Sequence, residues 1–261
     1  MNKTLPQSRP MQLAMQVMRK VPEVTIYFWI IKLLSTAMGE STSDYLVRAI
    51  NPYLAVALGF AGLVVSLVLQ LSVRRYITWV YWLAVVMVAI FGTMAADVAY
   101  VVLNIPYLIS TIFFAAVLAA VFVVWYRSEK TLSIHSITTR RRELFYWATV
   151  IATFALGTAV GDFTAATLHL GYFASGVLFA VLFAAPAVAY RLGWLNEVAA
   201  FWFAYIMTRP LGASFADWFG KPFLDGLGLG DEKVSLVLTI LIIGMVAYLT
   251  ITRKEMKGEQ Q

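Results

Sequence analysis

Residues 28–44 read FWIIKLLSTAMGESTSD, and the spacing of four residue types in this stretch recurs three more times along the chain. In each copy Trp follows an aromatic residue, Gly stands ten positions after Trp, and Asp stands five positions after Gly. The other copies are YWLAVVMVAIFGTMAAD (81–97), YWATVIATFALGTAVGD (146–162) and FWFAYIMTRPLGASFAD (201–217). Composition alone would give about 0.01 such matches in the whole chain, so the four copies define an internal repeat.

The composition indicates a membrane protein. Of 261 residues, 61% are hydrophobic and 13% are charged, whereas a soluble domain is about half apolar and about a quarter charged. The chain has no Cys and only two His, which excludes disulfide frameworks, thiol catalysis and the thiolate sites that soft metals prefer. Any metal ion that binds here is therefore expected to be a hard cation held by oxygen atoms.

Apolar runs of about 20 residues predict eight membrane-spanning helices. They lie near 23–44, 53–73, 76–103, 106–126, 143–166, 171–190, 196–217 and 234–252. With eight crossings, 15 Lys and Arg residues fall on the side of both termini and three, Arg48, Lys221 and Lys233, fall on the other. The positive-inside rule then predicts that both termini are cytoplasmic. The lipid bilayer is the expected partner, and the net charge of +6 is attributed to topology rather than to nucleic-acid binding.

The repeats predict an all-α architecture for a single membrane domain, residues 1–261. Each repeat is one in-and-out helix hairpin, and the hairpins span 20–75, 76–127, 140–191 and 196–253. Because all four enter from the same side, they are expected to be pseudo-symmetric about the membrane normal, with four-fold or two-fold symmetry left open. The odd-numbered spans hold every predicted intramembrane charge, so we expect them to be inner helices and the even-numbered spans to be outer helices.

The stretch from Lys20 to Val47, KVPEVTIYFWIIKLLSTAMGESTSDYLV, carries a resemblance to a known family. It resembles the first repeat of bacterial integral membrane proteins that consist of four tandem two-helix repeats, each with a characteristic Trp, and that have no assigned function. The resemblance covers nearly the whole chain. It implies the eight-helix fold and a location in the bacterial cytoplasmic (inner) membrane, but it implies no activity.

Helical periodicity places the repeated residues on one face of each odd-numbered span. The position four residues before Asp lies on this face and holds Glu40, Thr93, Thr158 and Ala213 in turn. Two cations, Lys32 and Arg209, lie on the same stripe. The inward-facing set also contains Trp29, Trp82, Trp147, Trp202, Gly39, Gly92, Gly157 and Gly212.

The repeated carboxylates are the predicted cation site. Asp44, Asp97, Asp162 and Asp217 are expected at one level in the outer part of the membrane, with Glu40 one helical turn below Asp44. Clustered carboxylates either share protons or bind a cation, since uncompensated charge in lipid is costly. Carboxylate ligands suit Mn²⁺ or Mg²⁺ and also Ca²⁺, Na⁺ or protons. The sequence thus favours transport of a hard divalent cation, with proton coupling left open and no cofactor expected beyond that cargo.

Structural interpretations remain open for several of these residues. The Asp residues could face water or cap a turn, and the Trp residues could be interfacial anchors. Gly most often lets helices pack closely, although four Gly beside the acids could also permit helix unwinding, above all at Arg209-Pro210. Lys32 and Arg209 could be counter-ions that a cargo displaces, or they could form fixed salt bridges.

The sequence also bears on functional classes other than cation transport. An enzyme is not expected, because Ala159-Val160-Gly161-Asp162 lacks the first Gly of the intramembrane aspartyl protease motif and no metal-hydrolase, nucleophile or nucleotide motif is present. A carrier of a small organic cation, with the Trp residues as a cation–π box, remains an alternative. A cation channel and a purely structural role also remain. The sequence leaves cargo, direction and oligomeric state open.

Overall fold

A computed structural model describes residues 19–252 of the chain as an all-α bundle. Its long helices are α1 (Ile26–Ala49), α2 (Pro52–Ser72), α3 (Thr78–Asp97), α4 (Tyr107–Glu129), α5 (Arg140–Asp162), α6 (Gly171–Arg191), α7 (Glu197–Gly220) and α8 (Asp231–Thr252). Residues 19–252 contain no strand, so the predicted all-α class is confirmed. The ends of the predicted domain, 1–18 and 253–261, with the basic residues Lys3, Arg9, Arg253, Lys254 and Lys257, lie outside the described residues.

Polar caps set the starts of several helices. Thr25 accepts a hydrogen bond from the Phe28 N–H, so α1 begins at Ile26 and not at the predicted 23. Asn51 caps α2, whose first residue is Pro52, a residue suited to this position because it lacks the N–H that a first turn cannot satisfy. Asn196 caps α7. The helices therefore coincide with the predicted spans to within a few residues.

Four inner helices form a closed ring. Within residues 19–252, α1 packs against α3, α3 against α5, α5 against α7, and α7 back against α1. Each outer helix packs mainly on the inner helix that follows it in the chain: α2 on α3, α4 on α5 and α6 on α7. The last outer helix, α8, packs on α1. The first and the last of the eight helices are thereby in contact.

The aromatic pair of each repeat explains how neighbouring inner helices contact each other. The aromatic residue of one repeat packs on the Trp of the next, with ring centroids 5.6–6.2 Å apart. The contact closes from the fourth repeat to the first at 5.8 Å. The four pairs are Phe28–Trp82, Tyr81–Trp147, Tyr146–Trp202 and Phe201–Trp29. The Trp residues are thus packing partners between repeats.

The repeated Gly lets successive inner helices approach each other closely. Each Gly faces the residue three positions before the Gly of the next repeat. The four contacts are Gly39–Ala89, Gly92–Phe154, Gly157–Arg209 and Gly212–Thr36. Close helix packing is therefore what these residues provide. All four Gly lie within continuous helices, as does Pro210, so the predicted alternative of helix unwinding at these positions is wrong for this conformation.

Helix length and composition indicate a multi-pass membrane protein. Among residues 19–252, six helices are long and apolar enough to cross a bilayer: α2, α3, α4, α5 with its extension, α6 and α8. The other two, α1 and α7, each carry a cation in the middle of the helix, Lys32 and Arg209, and they are inner helices. The outer helices α2, α4, α6 and α8 bury only 17–28% of their apolar windows, against 67% for α3 and α5. Their exposed apolar faces suit contact with lipid.

The segment before α1 and the linker before α5 pack against the end of the bundle that holds the four aromatic–Trp pairs, the Trp end. The Lys20 N–H donates to the Ile137 carbonyl at 3.1 Å, and Lys20 Nζ lies 2.5 Å from Glu143 Oε2. Gln70 Nε2 donates to Glu143 Oε1 at 2.9 Å. Trp202 Nε1 donates to the Leu132 carbonyl at 2.8 Å. These bonds tie both segments to the helix ends.

Candidate functional site

Arg209 contacts three other repeats in the interior of the bundle. Its Nη2 atom donates to Glu40 Oε2 at 2.5 Å and to Thr158 Oγ1 at 2.7 Å, and it also donates to Thr93 Oγ1. Its Nη1 atom donates to the Thr36 carbonyl at 3.3 Å. Glu40, Thr93 and Thr158 occupy equivalent positions in the first three repeats. One guanidinium therefore links three residues that helical periodicity had each placed on the inner face of its own helix.

Small residues make room for the Arg209 side chain. The fourth repeat has Ala213 where the others have Glu40, Thr93 and Thr158. On the facing helix α5, a side chain at Gly157 would collide with the Arg209 stem. The guanidinium and the Glu40 carboxylate are both almost fully buried. Such a pair is held by its hydrogen bonds, because neither charge has water to replace its partner.

Lys32 lies on the inner face of α1, but its environment differs from that of Arg209. Its Nζ atom is 4.0 Å from the Phe154 ring centroid and 4.5 Å from that of Tyr205. The side chain is 0% exposed, and Nζ has no hydrogen-bond partner among the described residues. The predicted role of Lys32 as a counter-ion or salt-bridge partner of the carboxylates is therefore wrong. The carboxylate of Glu40 is taken by Arg209 instead.

Three carboxylates converge toward the C-terminal ends of α1 and α7. Glu40, Asp44 and Asp217 each bring one oxygen to within 4.8 Å of the others. The oxygen ligands of a Ca²⁺ ion lie about 2.3–2.6 Å from it, so opposite ligands are about 4.6–5.2 Å apart. These three oxygens can therefore contact a single divalent cation. Glu40 and Asp44 lie one turn apart on α1, and Asp217 comes from the neighbouring inner helix α7.

A lysine ammonium lies between two of these carboxylates. Lys221 Nζ is 2.8 Å from Asp44 Oδ2 and 2.8 Å from Asp217 Oδ1. Burial of Lys221 opposes its positive charge, but Asp217 and Asp44 outweigh this effect and hold the pKa of Lys221 well above its ordinary value. Lys221 is therefore an ammonium at neutral pH, and it balances the two aspartates.

The loop that carries Lys221 is fixed by main-chain hydrogen bonds. The Gly228 N–H donates to the Lys221 carbonyl at 3.1 Å, and the Leu229 N–H donates to the Phe219 carbonyl at 2.9 Å. Gly228 has φ +67°, a left-handed conformation that Gly adopts without strain. The loop thus folds back on the end of α7 and holds Lys221 over the carboxylates.

Arg48 forms the rim of the site. It lies 3.4 Å from Asp44 and is also paired with Asp231, the first residue of α8. Its side chain is 56% exposed. At this edge the carboxylate cluster therefore meets a solvent-accessible cation rather than closed apolar packing.

The aspartates of the second and third repeats lie apart from this carboxylate triad. Asp97 and Asp162 are partly buried. Among the described residues, neither carboxylate has a hydrogen-bond or ion-pair partner. Each still interacts electrostatically with Glu40 and Asp44, and Tyr107 of α4 lies near both. The four aspartates thus share one region, but the structure does not bring them into one ligand sphere as the repeat had led us to expect.

Two features of the site were missed by sequence reasoning. A π-helical segment follows Asp97 (Val98–Val102), and another follows Asp162 (Phe163–Thr167). No local sequence pattern predicts these segments. The role of Lys221 did have a signal. The first and fourth repeats carry a cation four residues after Asp, Arg48 and Lys221, whereas the second and third carry Val and Ala there. This spacing allows an ion pair on one helix face.

Comparison with known proteins identifies the repeat. A family model described as a repeat of unknown function (DUF347) matches the chain four times, at residues 27–76, 80–131, 145–192 and 200–255. The four matches overlap the four predicted repeats and together cover most of the chain. Neither the curated proteins nor the solved structures give a match.

Proposed function

The chain belongs to the DUF347 family of tandem repeats of unknown function, and on that premise we propose that it transports a hard divalent cation, with Mn²⁺ or Mg²⁺ as the leading cargo. The observation that carries the proposal is the position of the Lys221 ammonium. It lies 2.8 Å from both Asp44 and Asp217, beside a third carboxylate from Glu40. A positive charge thus already occupies the place where a cargo cation would bind.

Charge balance supports exchange between Lys221 and a cargo. The carboxylates of Glu40, Asp44, Asp97, Asp162 and Asp217 face the cations Arg209 and Lys221, which leaves a formal charge of −3 if all are ionised. An incoming dication would displace Lys221 from Asp44 and Asp217. The unpaired carboxylates of Asp97 and Asp162 would add to the negative potential that attracts it. Lys221 would return when the cargo leaves, so the site never holds a bare group of anions.

The membrane placement forms part of the proposal. We place all eight helices across the bacterial cytoplasmic membrane as four hairpins, pseudo-symmetric about the membrane normal, with both termini in the cytoplasm. The Trp and Gly contacts that recur from each inner helix to the next support this arrangement. The carboxylates then lie toward the outer face and the Trp end lies toward the cytoplasm.

The alternatives have less support. A carrier of organic cations would need open Trp faces, but Trp82, Trp147 and Trp202 are buried against other aromatic rings. A cation channel would need a filter, whereas the outer loop 221–230 folds back on α7 without a pore helix. An enzyme would need a nucleophile or a general acid–base pair beside an open cleft, and we propose none.

Flux through the purified protein tests the proposal. In liposomes that contain a Mn²⁺-quenched dye, wild type should take up Mn²⁺, and Asp44→Asn/Asp217→Asn should reduce the rate to that of empty liposomes. The matched control is Glu232→Gln, which removes an exposed acid near the same surface and should keep the wild-type rate. Undiminished flux in the double variant, or wild-type vesicles that pass none of Mn²⁺, Mg²⁺ and Ca²⁺, would refute the proposal.

Removal of Lys221 should tighten cation binding. Lys221→Gln eliminates the internal competitor of the cargo, so the Kd for Mn²⁺ measured by calorimetry should fall by about tenfold, the equivalent of about 1.4 kcal/mol. Without Mn²⁺ the variant should melt lower than wild type, because Asp44 and Asp217 then repel each other. Lys233→Gln, at an exposed position, should change neither value. Weaker Mn²⁺ binding by Lys221→Gln would mean that Lys221 is a structural tie.

A further inference from the structure

Lys32 has the most unusual environment of the charged residues in the bundle. Its Nζ atom lies between the rings of Phe154 and Tyr205, and it is sealed from solvent. An ammonium has three donors, yet no acceptor among the described residues is within hydrogen-bond distance of this nitrogen. By contrast, the other two buried cations near the site, Arg209 and Lys221, each have carboxylate partners.

The charged groups around Lys32 disfavour an ammonium at this position in this conformation. The nearest carboxylate on the stripe, Glu40, is bonded to Arg209, and the Arg209 guanidinium carbon itself lies 5.4 Å from the Phe154 ring centroid. A charged Lys32 would share that ring with a second cation and have no anion of its own. Ring faces attract a cation, but they do not replace the hydrogen bonds that an ammonium loses on leaving water.

The other ionisable groups near Lys32 do not supply an anion. Helix α7 contributes Tyr205 and Arg209, and α5 contributes Tyr146, which neighbours Tyr205. From α3, Tyr81 is bonded to Tyr146, farther toward the Trp end. The α2 sequence has no charged residue, and α8 carries its charged residues in its first turn, at Asp231–Lys233. No anion of the described residues therefore pairs with the Lys32 nitrogen.

We propose that Lys32 is a proton-binding site of this protein, neutral in the conformation described here and protonated when the interior opens to water. In the open state the Nζ lone pair takes a proton from hydronium and leaves water. On closing, the ammonium returns that proton to water. Lys32 thus binds and releases one proton per cycle without any change in oxidation state.

Coupling to the cation follows from the position of Arg209, and this step rests on the proposed function. Arg209 bonds to the carboxylate of Glu40, and its guanidinium lies near the same Phe154 ring as Lys32. A dication bound at Glu40 and Asp44 would remove the anion that neutralises Arg209. The freed guanidinium charge would then repel a proton on Lys32. Cation and proton therefore exclude each other, which makes the two counter-transported species.

Nitrogen NMR of the lysine side chains tests the proton site directly, without any cargo. In protein labelled with ¹⁵N at lysine Nζ, in micelles at pH 7.5, wild type should give one neutral-amine resonance among its ammonium signals. Lys32→Met should lack that resonance, and Lys32→Arg provides a second assignment if the first variant does not fold. The exposed control Lys233→Gln should lose an ammonium signal instead. Loss of an ammonium signal in the Lys32 variants would overturn the proposal.

Flux under a pH gradient tests the coupling separately. Reversal of the gradient should change the rate of Mn²⁺ uptake by wild type, and Lys32→Met should bind Mn²⁺ but lose that response. A response that persists in Lys32→Met would overturn the coupling. If wild type carried no cation while the amine resonance was present, the proposed function would fail and the proton site would stand.

Discussion

Arg209→Ala is expected to destabilise the protein by about 3–5 kcal/mol, the usual cost of leaving one partner of a buried ion pair alone. The variant keeps the Glu40 carboxylate inside the bundle but removes its charged partner at 2.5 Å. It also removes donors to Thr93, Thr158 and the Thr36 carbonyl. Unfolding in detergent, followed by circular dichroism against increasing SDS, measures the loss.

Two further variants separate the buried charge from the packing of the side chain. Arg209→Met/Glu40→Leu replaces both charges by apolar groups of similar length, and it should recover most of the stability that Arg209→Ala loses. Arg141→Ala removes a solvent-exposed guanidinium whose partner Glu129 keeps its bond to Arg142, and it should cost less than about 1 kcal/mol. Equal losses for Arg209→Ala and Arg141→Ala would contradict a central structural role for the Arg209 network.

Gly39→Ala is expected to destabilise the bundle by about 1–3 kcal/mol, in the range of overpacked cores. The added Cβ would lie 2.8 Å from the main-chain carbonyl carbon of Ala89. A backbone atom cannot move aside as a flexible side chain can, so α1 and α3 would have to separate. The separation would also disturb Thr93, which lies on α3 one turn after Ala89 and bonds to Arg209.

The matched control for this effect is Gly244→Ala in the middle of α8. A Cβ at Gly244 would meet no atom within 4 Å. Since Ala also favours helix over Gly by up to about 1 kcal/mol, this variant should be as stable as wild type or slightly more stable. Gly212→Ala, whose Cβ would approach the Ala37 nitrogen to 2.9 Å, should behave like Gly39→Ala. Similar melting curves for Gly39→Ala and Gly244→Ala would rule out close packing as the reason for the repeated Gly.

Helical periodicity was enough to predict which residues of one helix share a face. The positions of Glu40, Thr93 and Thr158 relative to Asp depend only on 3.6 residues per turn, and their three side chains meet at Arg209. The distinction between charged and uncharged spans likewise depends on composition. These properties are local, so they can be read from a single sequence.

Partners across helices could not be predicted in the same way. Lys32 and Arg209 are both basic residues on the inner faces of their helices, yet only Arg209 forms an ion pair with Glu40. The path of the Arg209 side chain depends on Gly157 of the neighbouring helix, where any side chain would collide with the Arg209 stem. Helical spacing allows Lys221 to pair with Asp217 four residues before it, but its second partner, Asp44, lies on another helix, so spacing along one helix does not predict that contact. The order of helices in the ring also requires distances that periodicity does not contain.

The packing of α8 on α1 has a consequence for how the chain is made. Synthesis proceeds from the N-terminus, so α1, with Lys32, Glu40 and Asp44, leaves the ribosome first, and its two ring neighbours α3 and α7 follow at very different times. Its covering helix α8 is made last. Helix α1 therefore waits for the final hairpin before its charges are enclosed, and a chain that stops before α7 lacks Arg209, the partner of Glu40.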